Sequence, residues 1–310
     1  MRGMSRPALL FLTPIPEFLR TPLEAEFECW EGEQRLNAEE VDRVRAIVGH
    51  GGVQVDAVML DRLPALEIVA VFGVGYDGVD VAACRAREVA VTHTPDVLSA
   101  EVADTALALT LATLRRLVEA DAFVRRGDWE RGAFPLTQRL GGRRAGIVGL
   151  GRIGREIAAR LAACGMRIAY HGRTEQAVPY EWYPVLTELA AASDVLVIAC
   201  PGGAGTRHLI DREVLDALGR EGVLINISRG SVVDEAALIA ALQEGRVAAA
   251  GLDVYEDEPR VPMALRELAQ TVLLPHVGSA TVETRGAMAD LVVKNLRAHF
   301  AGAPLLTPVP

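Results

Sequence analysis

Gly146-Ile147-Val148-Gly149-Leu150-Gly151-Arg152-Ile153-Gly154 carries three glycines in the spacing G-x-G-x-x-G. A short β-branched run leads into it, and an Ala-rich helical pattern, Glu156 to Ala163, follows. The stretch reads as a strand, a tight turn and a helix N-terminus. Each glycine then has a physical task. Gly149 permits the sharp turn, Gly151 lets backbone approach a pyrophosphate, and Gly154 lets the helix pack closely on the strand. Unpaired amides and the positive end of the helix dipole face the phosphates. The plainer alternative is an ordinary Gly-rich strand–helix turn. The strand before and the helix after favour the nucleotide site.

Outward from that turn, short apolar runs alternate with helical patterns. Downstream strands are expected at Ala145–Val148, Arg167–Tyr170, Val195–Cys200, Val223–Ile227, Ala248–Leu252 and Val272–Leu274. Helical patterns lie between them at Arg152–Cys164, Tyr183–Ala191, Asp211–Leu218 and Asp234–Glu244. Such alternation implies an α/β fold with a doubly wound parallel sheet. Upstream, a smaller α/β domain is expected. Its strands are Ala8–Leu12, Ala57–Leu60, Ile68–Val71 and Val89–Thr92, and its helices Ala38–Val48 and Val79–Arg87. One long helix, Ala100 to Arg126 with Ser99 as N-cap, would cross between the domains, and a last helix, Thr281 to Phe300, would return to the first.

The 310 residues suffice for two domains with buried cores. A formal net charge of -9 and the lack of a Lys/Arg run argue against a nucleic-acid partner. Cys29, Cys84, Cys164 and Cys200 form no C-x-x-C pair, and Cys164 and Cys200 read as buried small hydrophobes. A cytoplasmic protein fits that usage. The apolar run Ala8–Leu12 is too short for a signal or a membrane span. His50, His93, His208 and His299 show no ligand-like spacing, so no metal is expected.

In doubly wound sheets, ligands bind outside the carboxyl ends of the strands. The second strand after the glycine turn ends in Tyr170-His171-Gly172-Arg173-Thr174. An NAD site would place an acid there for the ribose hydroxyls, and none is present. Arg173 can instead pair with a 2′-phosphate and Thr174 can add a hydroxyl, which favours NADP(H) over NAD(H) without forbidding NAD(H). The plainer reading of Arg173 is a solvated loop arginine. The third strand ends in Cys200-Pro201-Gly202-Gly203, a loop open enough to lie over the adenosine half. Arg229, Glu258 and His276 follow three further strands. Singly, each could be a surface arginine, a solvated acid and a structural imidazole. Together they suit a 2-oxo acid, which needs a cation for its carboxylate and carbonyl and a proton donor for the developing alkoxide. Imidazole is that donor near neutral pH, and a carboxylate beside it favours the protonated form and fixes its orientation.

These residues resemble the D-isomer-specific 2-hydroxyacid dehydrogenases over nearly the whole chain. The marks are Val74-Gly75-Tyr76-Asp77, the Gly149–Gly154 turn, Asn226-Ile227-Ser228-Arg229-Gly230, Gly251-Leu252-Asp253-Val254-Tyr255, Asp257-Glu258-Pro259 and Pro275-His276-Val277-Gly278-Ser279. The resemblance implies two Rossmann-like domains: 1–95 plus 283–310 for the substrate, and 96–282 for the dinucleotide. It implies Arg229 as the residue that binds substrate and polarises the carbonyl, Glu258 as the partner of the imidazole, and His276 as general acid/base. Val74 and Gly75 would bind the substrate carboxylate through their amides, with Ser279 also at the substrate, and Asp253 would take the nicotinamide amide. The cofactor would further touch Arg152, Ile153, His171, Pro201 and Thr206. Ile227, Ser228, Arg229, His276 and Gly278 would border its nicotinamide half. Tyr170–Thr174 and Cys200–Gly203, followed by Thr206-Arg207-His208, resemble the NADPH-preferring glyoxylate/hydroxypyruvate reductases. His171 stands where the NAD-using members carry Asp. The loop around Trp129 and Phe134 resembles plant-type hydroxypyruvate and hydroxyphenylpyruvate reductases, in which it helps form a homodimer.

The expected activity is thus NADPH-dependent reduction of a small 2-oxo acid to the D-2-hydroxy acid. Two alternatives stay open: a bulkier 2-oxo acid such as phenylpyruvate, hydroxyphenylpyruvate or a keto-sugar acid, or a non-enzymatic nucleotide-sensing interaction protein.

Overall fold

The computed structural model describes Arg6–Pro310. The chain divides into two compact units, one running to Leu98 and resuming over Thr281–Pro310, the other Ser99–Ala280. In the first unit the elements are β1 (Ala8–Phe11), α1 (Glu17–Glu26), β2 (Glu28–Glu31), α2 (Ala38–Val41), β3 (Val44–Gly49), α3 (Ala57–Arg62), β4 (Ile68–Val71), α4 (Val81–Ala86) and β5 (Ala90–Thr92). The five strands are parallel in the order β2-β1-β3-β4-β5. β1 and β4 are buried along their length, as expected of strands covered on both faces.

The second unit holds α5 (Ser99–Leu114), α6 (Leu117–Arg125), β6 (Arg144–Val148), α7 (Arg152–Ala163), β7 (Arg167–His171), β8 (Glu181–Tyr183), α8 (Leu186–Ala191), β9 (Val195–Ile198), α9 (Arg212–Leu218), β10 (Val223–Asn226), α10 (Glu235–Gln243), β11 (Ala249–Leu252), α11 (Met263–Arg266) and β12 (Thr271–Leu273). Seven parallel strands run β12-β11-β10-β9-β6-β7-β8. The strand order reverses between β6 and β9, the switch point at which such sheets open a ligand crevice. Its core joins Val148, Leu196, Ile198 and Leu224 to Val214, Leu215 and Leu238 from the covering helices. The last helix, α12 (Val282–Phe300), belongs to the first unit, where Arg297 Nε donates to Glu26 Oε2 at 2.8 Å. Among the described residues, no helix is long and apolar enough to cross a membrane, and no His/Cys/Asp/Glu group could hold a metal.

Several expected elements differ. Ala57–Leu60 is not a strand but the start of α3, because the Asp56 side chain caps it by accepting from Met59 N at 2.9 Å. A four-residue apolar run does not discriminate helix from strand. The helix expected over Ala38–Val48 stops at Val41, and the buried run Val44–Gly49 is a central strand. The long helix Ala100–Arg126 is two helices, broken where Arg116 takes φ +50°, and Ser99 is the first helical residue of α5. The helix expected from Tyr183 starts at Leu186, and Glu181–Tyr183 pairs as edge strand β8. Cys164 is exposed at the C-cap of α7, not buried.

Candidate active site

The glycine turn leaves β6 with Gly149 at φ +95°, and a Cβ there would lie 2.6 Å from the Cys200 Cα. Only glycine satisfies both the left-handed backbone and that contact with the loop after β9. A Cβ on Gly154 would meet the Gly149 carbonyl oxygen at 2.1 Å, so α7 packs directly on the turn. Gly151 is the N-cap of α7 with no side-chain cap, and a Cβ on it would meet no protein atom within 4 Å. The first amides of a twelve-residue helix are thereby presented where a phosphate can approach. Arg152 is exposed and Ile153 half-buried at the start of that helix.

After β7 the chain turns away from an acid-bearing design. His171 is half-buried, its Nδ1 2.9 Å from the Tyr183 carbonyl oxygen. Arg173 and Thr174 are exposed, and no hydrogen bond or ion pair to a described residue engages the Arg173 guanidinium. Gln176 bridges this loop to the glycine turn, donating from Nε2 to the Leu150 carbonyl at 3.2 Å. In the loop after β9, Thr206 Oγ1 donates to the Pro201 carbonyl at 2.7 Å. Ser228 Oγ donates to the Cys200 carbonyl and ties that loop to the end of β10. Burial pushes the Cys200 thiol up to about 11, so it is not a nucleophile at neutral pH. These residues fit a dinucleotide, with exposed amides for the pyrophosphate and an uncommitted guanidinium at the ribose end.

Arg229, Glu258 and His276 follow β10, β11 and β12, three adjacent strands of one sheet. Glu258 Oε2 and His276 Nδ1 are 2.7 Å apart, while Glu258 Oε1 accepts from Tyr255 N at 3.1 Å. Both oxygens are therefore engaged and the imidazole plane is set. The two side chains keep 46% and 34% of their exposure, His276 and Glu258 respectively, so the pair is open to a reactant. Burial pulls the Glu258 carboxyl upward. The His276 hydrogen bond and charge, the Tyr255 amide and the Arg229 charge outweigh it and hold the group below the usual carboxylate range. Arg229 is half-buried, with Nη1 donating to the Ser228 carbonyl at 2.9 Å.

His276 takes φ +54°, a left-handed backbone that costs a non-glycine residue about 1–3 kcal/mol. Asp253 holds it there. The Asp253 carbonyl accepts from His276 N at 2.8 Å, and its two carboxylate oxygens accept from Val277 N and Gly278 N, each at 2.8 Å. Asp253 is 1% exposed, and burial raises its carboxyl against the pull of those two amides. Ser279, half-buried, continues the same turn.

Three supporting residues carry no role in the sequence reading. Asn226, 1% exposed, accepts from Ser228 N and donates to the Arg229 carbonyl, both at 3.0 Å, closing the turn that aims Arg229. An Asn at a strand end is the available signal for such a turn. Gly230 lies so close to the next loop that a Cβ would sit 1.8 Å from the Tyr255 carbonyl carbon. Tyr255 Oη donates to the Leu274 carbonyl at 2.9 Å, joining the ends of β11 and β12. The loops bearing the three site residues are thus locked together by backbone contact. Val74 and Gly75 lie in the first unit, in the loop after β4, and neither amide donates to a described residue. Ile227 is buried at the end of β10.

Known proteins give the family of the chain. Residues 107–278 match the model of the D-isomer specific 2-hydroxyacid dehydrogenase NAD binding domain. The chain is 50% identical to glyoxylate/hydroxypyruvate reductase A of Arabidopsis thaliana, over 99% of this chain and 100% of that one. It is 49% identical to the hydroxyphenylpyruvate reductase of Plectranthus scutellarioides, with the same coverage. An NADPH-dependent glyoxylate/hydroxypyruvate reductase from Sinorhizobium meliloti, solved with NADP and malonate, superposes with TM-score 0.93 at 49% identity, covering 98% of this chain and 97% of its own. A chain this similar to such enzymes over nearly its whole length is an oxidoreductase, and it belongs to the D-isomer-specific 2-hydroxyacid dehydrogenase family.

Proposed function

We propose that the enzyme reduces small 2-oxo acids of the size of glyoxylate and hydroxypyruvate to D-2-hydroxy acids, with NADPH as the preferred cofactor. The carrying observation is the 2.7 Å contact between Glu258 and His276 Nδ1, which joins the loops after β11 and β12, beside β10, which delivers Arg229. With Nδ1 bound to a carboxylate, Nε2 is the nitrogen that holds the transferable proton. Arg229 pairs with the substrate and draws charge from its carbonyl. By the family resemblance, the Val74 and Gly75 amides act as carboxylate donors. His276 then protonates the developing alkoxide. The bound cofactor supplies the hydride. Asp253 has lone pairs left beyond its two amide bonds with which to receive the nicotinamide amide. The small-substrate reading is supported by the relatives from Arabidopsis thaliana and Sinorhizobium meliloti. Turnover on hydroxypyruvate should exceed that on phenylpyruvate; the reverse order would assign the bulkier class instead.

The NADPH preference rests on Arg173 and on the absence of an acid at the end of β7. Arg173→Ala should raise the KM for NADPH about ten- to a hundredfold, the loss of a charge-assisted contact to phosphate, and leave that for NADH nearly unchanged. Equal weakening of both cofactors would overturn the assignment. We also read the exposed apolar residues of α6 and the following loop as the contact of a homodimer. Val118, Val124, Trp129 and Leu136 are 61%, 55%, 68% and 99% exposed there. Light scattering should give the mass of two chains, and a monomer at micromolar concentration would contradict this.

A further inference from the structure

The amides of Val74 and Gly75 are held in place from behind, by the two residues that follow β5. The Gly73 carbonyl accepts from Thr94 N at 2.8 Å. The Val74 carbonyl lies 2.9 Å from His93 Nδ1. A carbonyl oxygen only accepts, so Nδ1 is the protonated nitrogen of that ring. A peptide unit is planar, and its C=O and N–H point in opposite directions. Fixing the Gly73 carbonyl therefore fixes the Val74 N–H, and fixing the Val74 carbonyl fixes the Gly75 N–H. Both N–H groups are turned away from residues 93–94, and a hydrogen bond to the carbonyl side of an amide strengthens its N–H as a donor.

His93 is itself immobilised. Its ring meets Tyr76 edge-on, with centroids 5.4 Å apart. Its backbone N donates to the Thr307 carbonyl at 3.3 Å, and its carbonyl accepts from Thr307 Oγ1 at 2.6 Å. Asn295 of α12, with 0% exposure, holds the tail in turn. Its Nδ2 donates to Thr307 Oγ1 at 2.8 Å, and its Oδ1 accepts from Leu306 N at 2.9 Å. A chain of hydrogen bonds thus runs from the last helix through the C-terminal tail to the Val74–Gly75 peptide.

We propose that His93 is a positioning residue for substrate binding: its Nδ1–H orients the Val74–Gly75 peptide so that the Gly75 amide meets the carboxylate of the 2-oxo acid. The inference rests on the reading of the Val74 and Gly75 amides as carboxylate donors. It does not involve the cofactor or the proton transfer, so its effect falls on KM for the acid and not on kcat.

The test compares His93→Phe, which keeps a ring against Tyr76 without the donor, His93→Asn, whose amide can replace Nδ1–H, and Gly75→Pro, which deletes the amide itself. With His93→Phe, KM for glyoxylate and the inhibition constant of malonate should each rise about tenfold, the effect of one lost hydrogen bond. In the same variant kcat and the KM for NADPH should stay within about twofold, and His93→Asn should recover most of the loss. If Gly75→Pro raises KM for glyoxylate but His93→Phe does not, the role of His93 is overturned while the carboxylate reading stands. If neither changes it, the carboxylate reading fails and takes this inference with it. A loss in His93→Phe that falls equally on kcat, NADPH and glyoxylate, unrelieved by His93→Asn, makes His93 a structural residue and overturns the proposal.

Discussion

Replacing Arg229 by alanine should lower kcat/KM for the 2-oxo acid by roughly 10³-fold or more. Loss of one pre-organised donor to a developing oxyanion costs about 10²–10³-fold by itself. The proposed mechanism gives Arg229 a second task in the same reaction, a charge-assisted grip on the substrate carboxylate. It also acts on its neighbour, because its charge is one of the influences that hold the Glu258 carboxyl down. The fold should tolerate the change. The turn that carries Arg229 is closed through its backbone, by Asn226 Nδ2 donating to the Arg229 carbonyl at 3.0 Å, and by the close approach of Gly230 to Tyr255. Thermal melting should therefore move little while activity collapses. Arg229→Lys should recover only part, since an ammonium cannot reproduce the planar fork. Steady-state kinetics with the three proteins is the check, and near wild-type turnover in Arg229→Ala would remove Arg229 from the mechanism.

His276→Ala should lower kcat for reduction by about 10²–10⁴-fold, the usual worth of a positioned general acid. Cofactor binding, followed by fluorescence, should change far less, because the turn is held by Asp253 through backbone amides that alanine retains. Loss of cofactor affinity in proportion to kcat would point to a collapsed turn and not to a missing proton donor. The partner carboxylate adds a pH expectation. Glu258 has its pKa depressed in the folded chain, so it contributes stability above the unfolded carboxylate value and loses it as pH falls through the folded one. Glu258→Gln should accordingly remove part of the acid-side decline in stability, and should lower kcat at neutral pH because the imidazole loses its anionic partner.

The features legible in the sequence were those that repeat a local physical pattern. Parallel strands covered on both faces read as short apolar runs, and β4, β9 and β10 are such runs, buried throughout. Ligands sit at their carboxyl ends, so the residues after each run were already candidates, and the structure brings Glu258 and His276 within hydrogen-bond distance. Edge strands gave no such signal. β2 has the sequence Glu28-Cys29-Trp30-Glu31 and is only partly buried, so neither period nor apolarity marks it. The break at Arg116 was invisible because a left-handed arginine leaves no compositional trace. Least legible were the residues that work through space. Asn226 and Tyr255 act on partners across turns and strands, and Gly230 matters because a backbone 25 residues away along the chain leaves it no room for a Cβ. The sequence points Asp253 toward the nicotinamide and gives no sign that its two oxygens also strap down the His276 turn.

The proposed roles of Arg229, Glu258 and His276, beside the dinucleotide turn, require hydride transfer from NADPH to the carbonyl carbon of a 2-oxo acid. The most direct measurement uses the wild-type enzyme with hydroxypyruvate and NADPH deuterated at both C4 positions of the nicotinamide. The expected product is D-glycerate carrying one deuterium at C2, formed in equal amount to the NADPH consumed. Glycerate without deuterium, the L-isomer, or no turnover with any 2-oxo acid would contradict it.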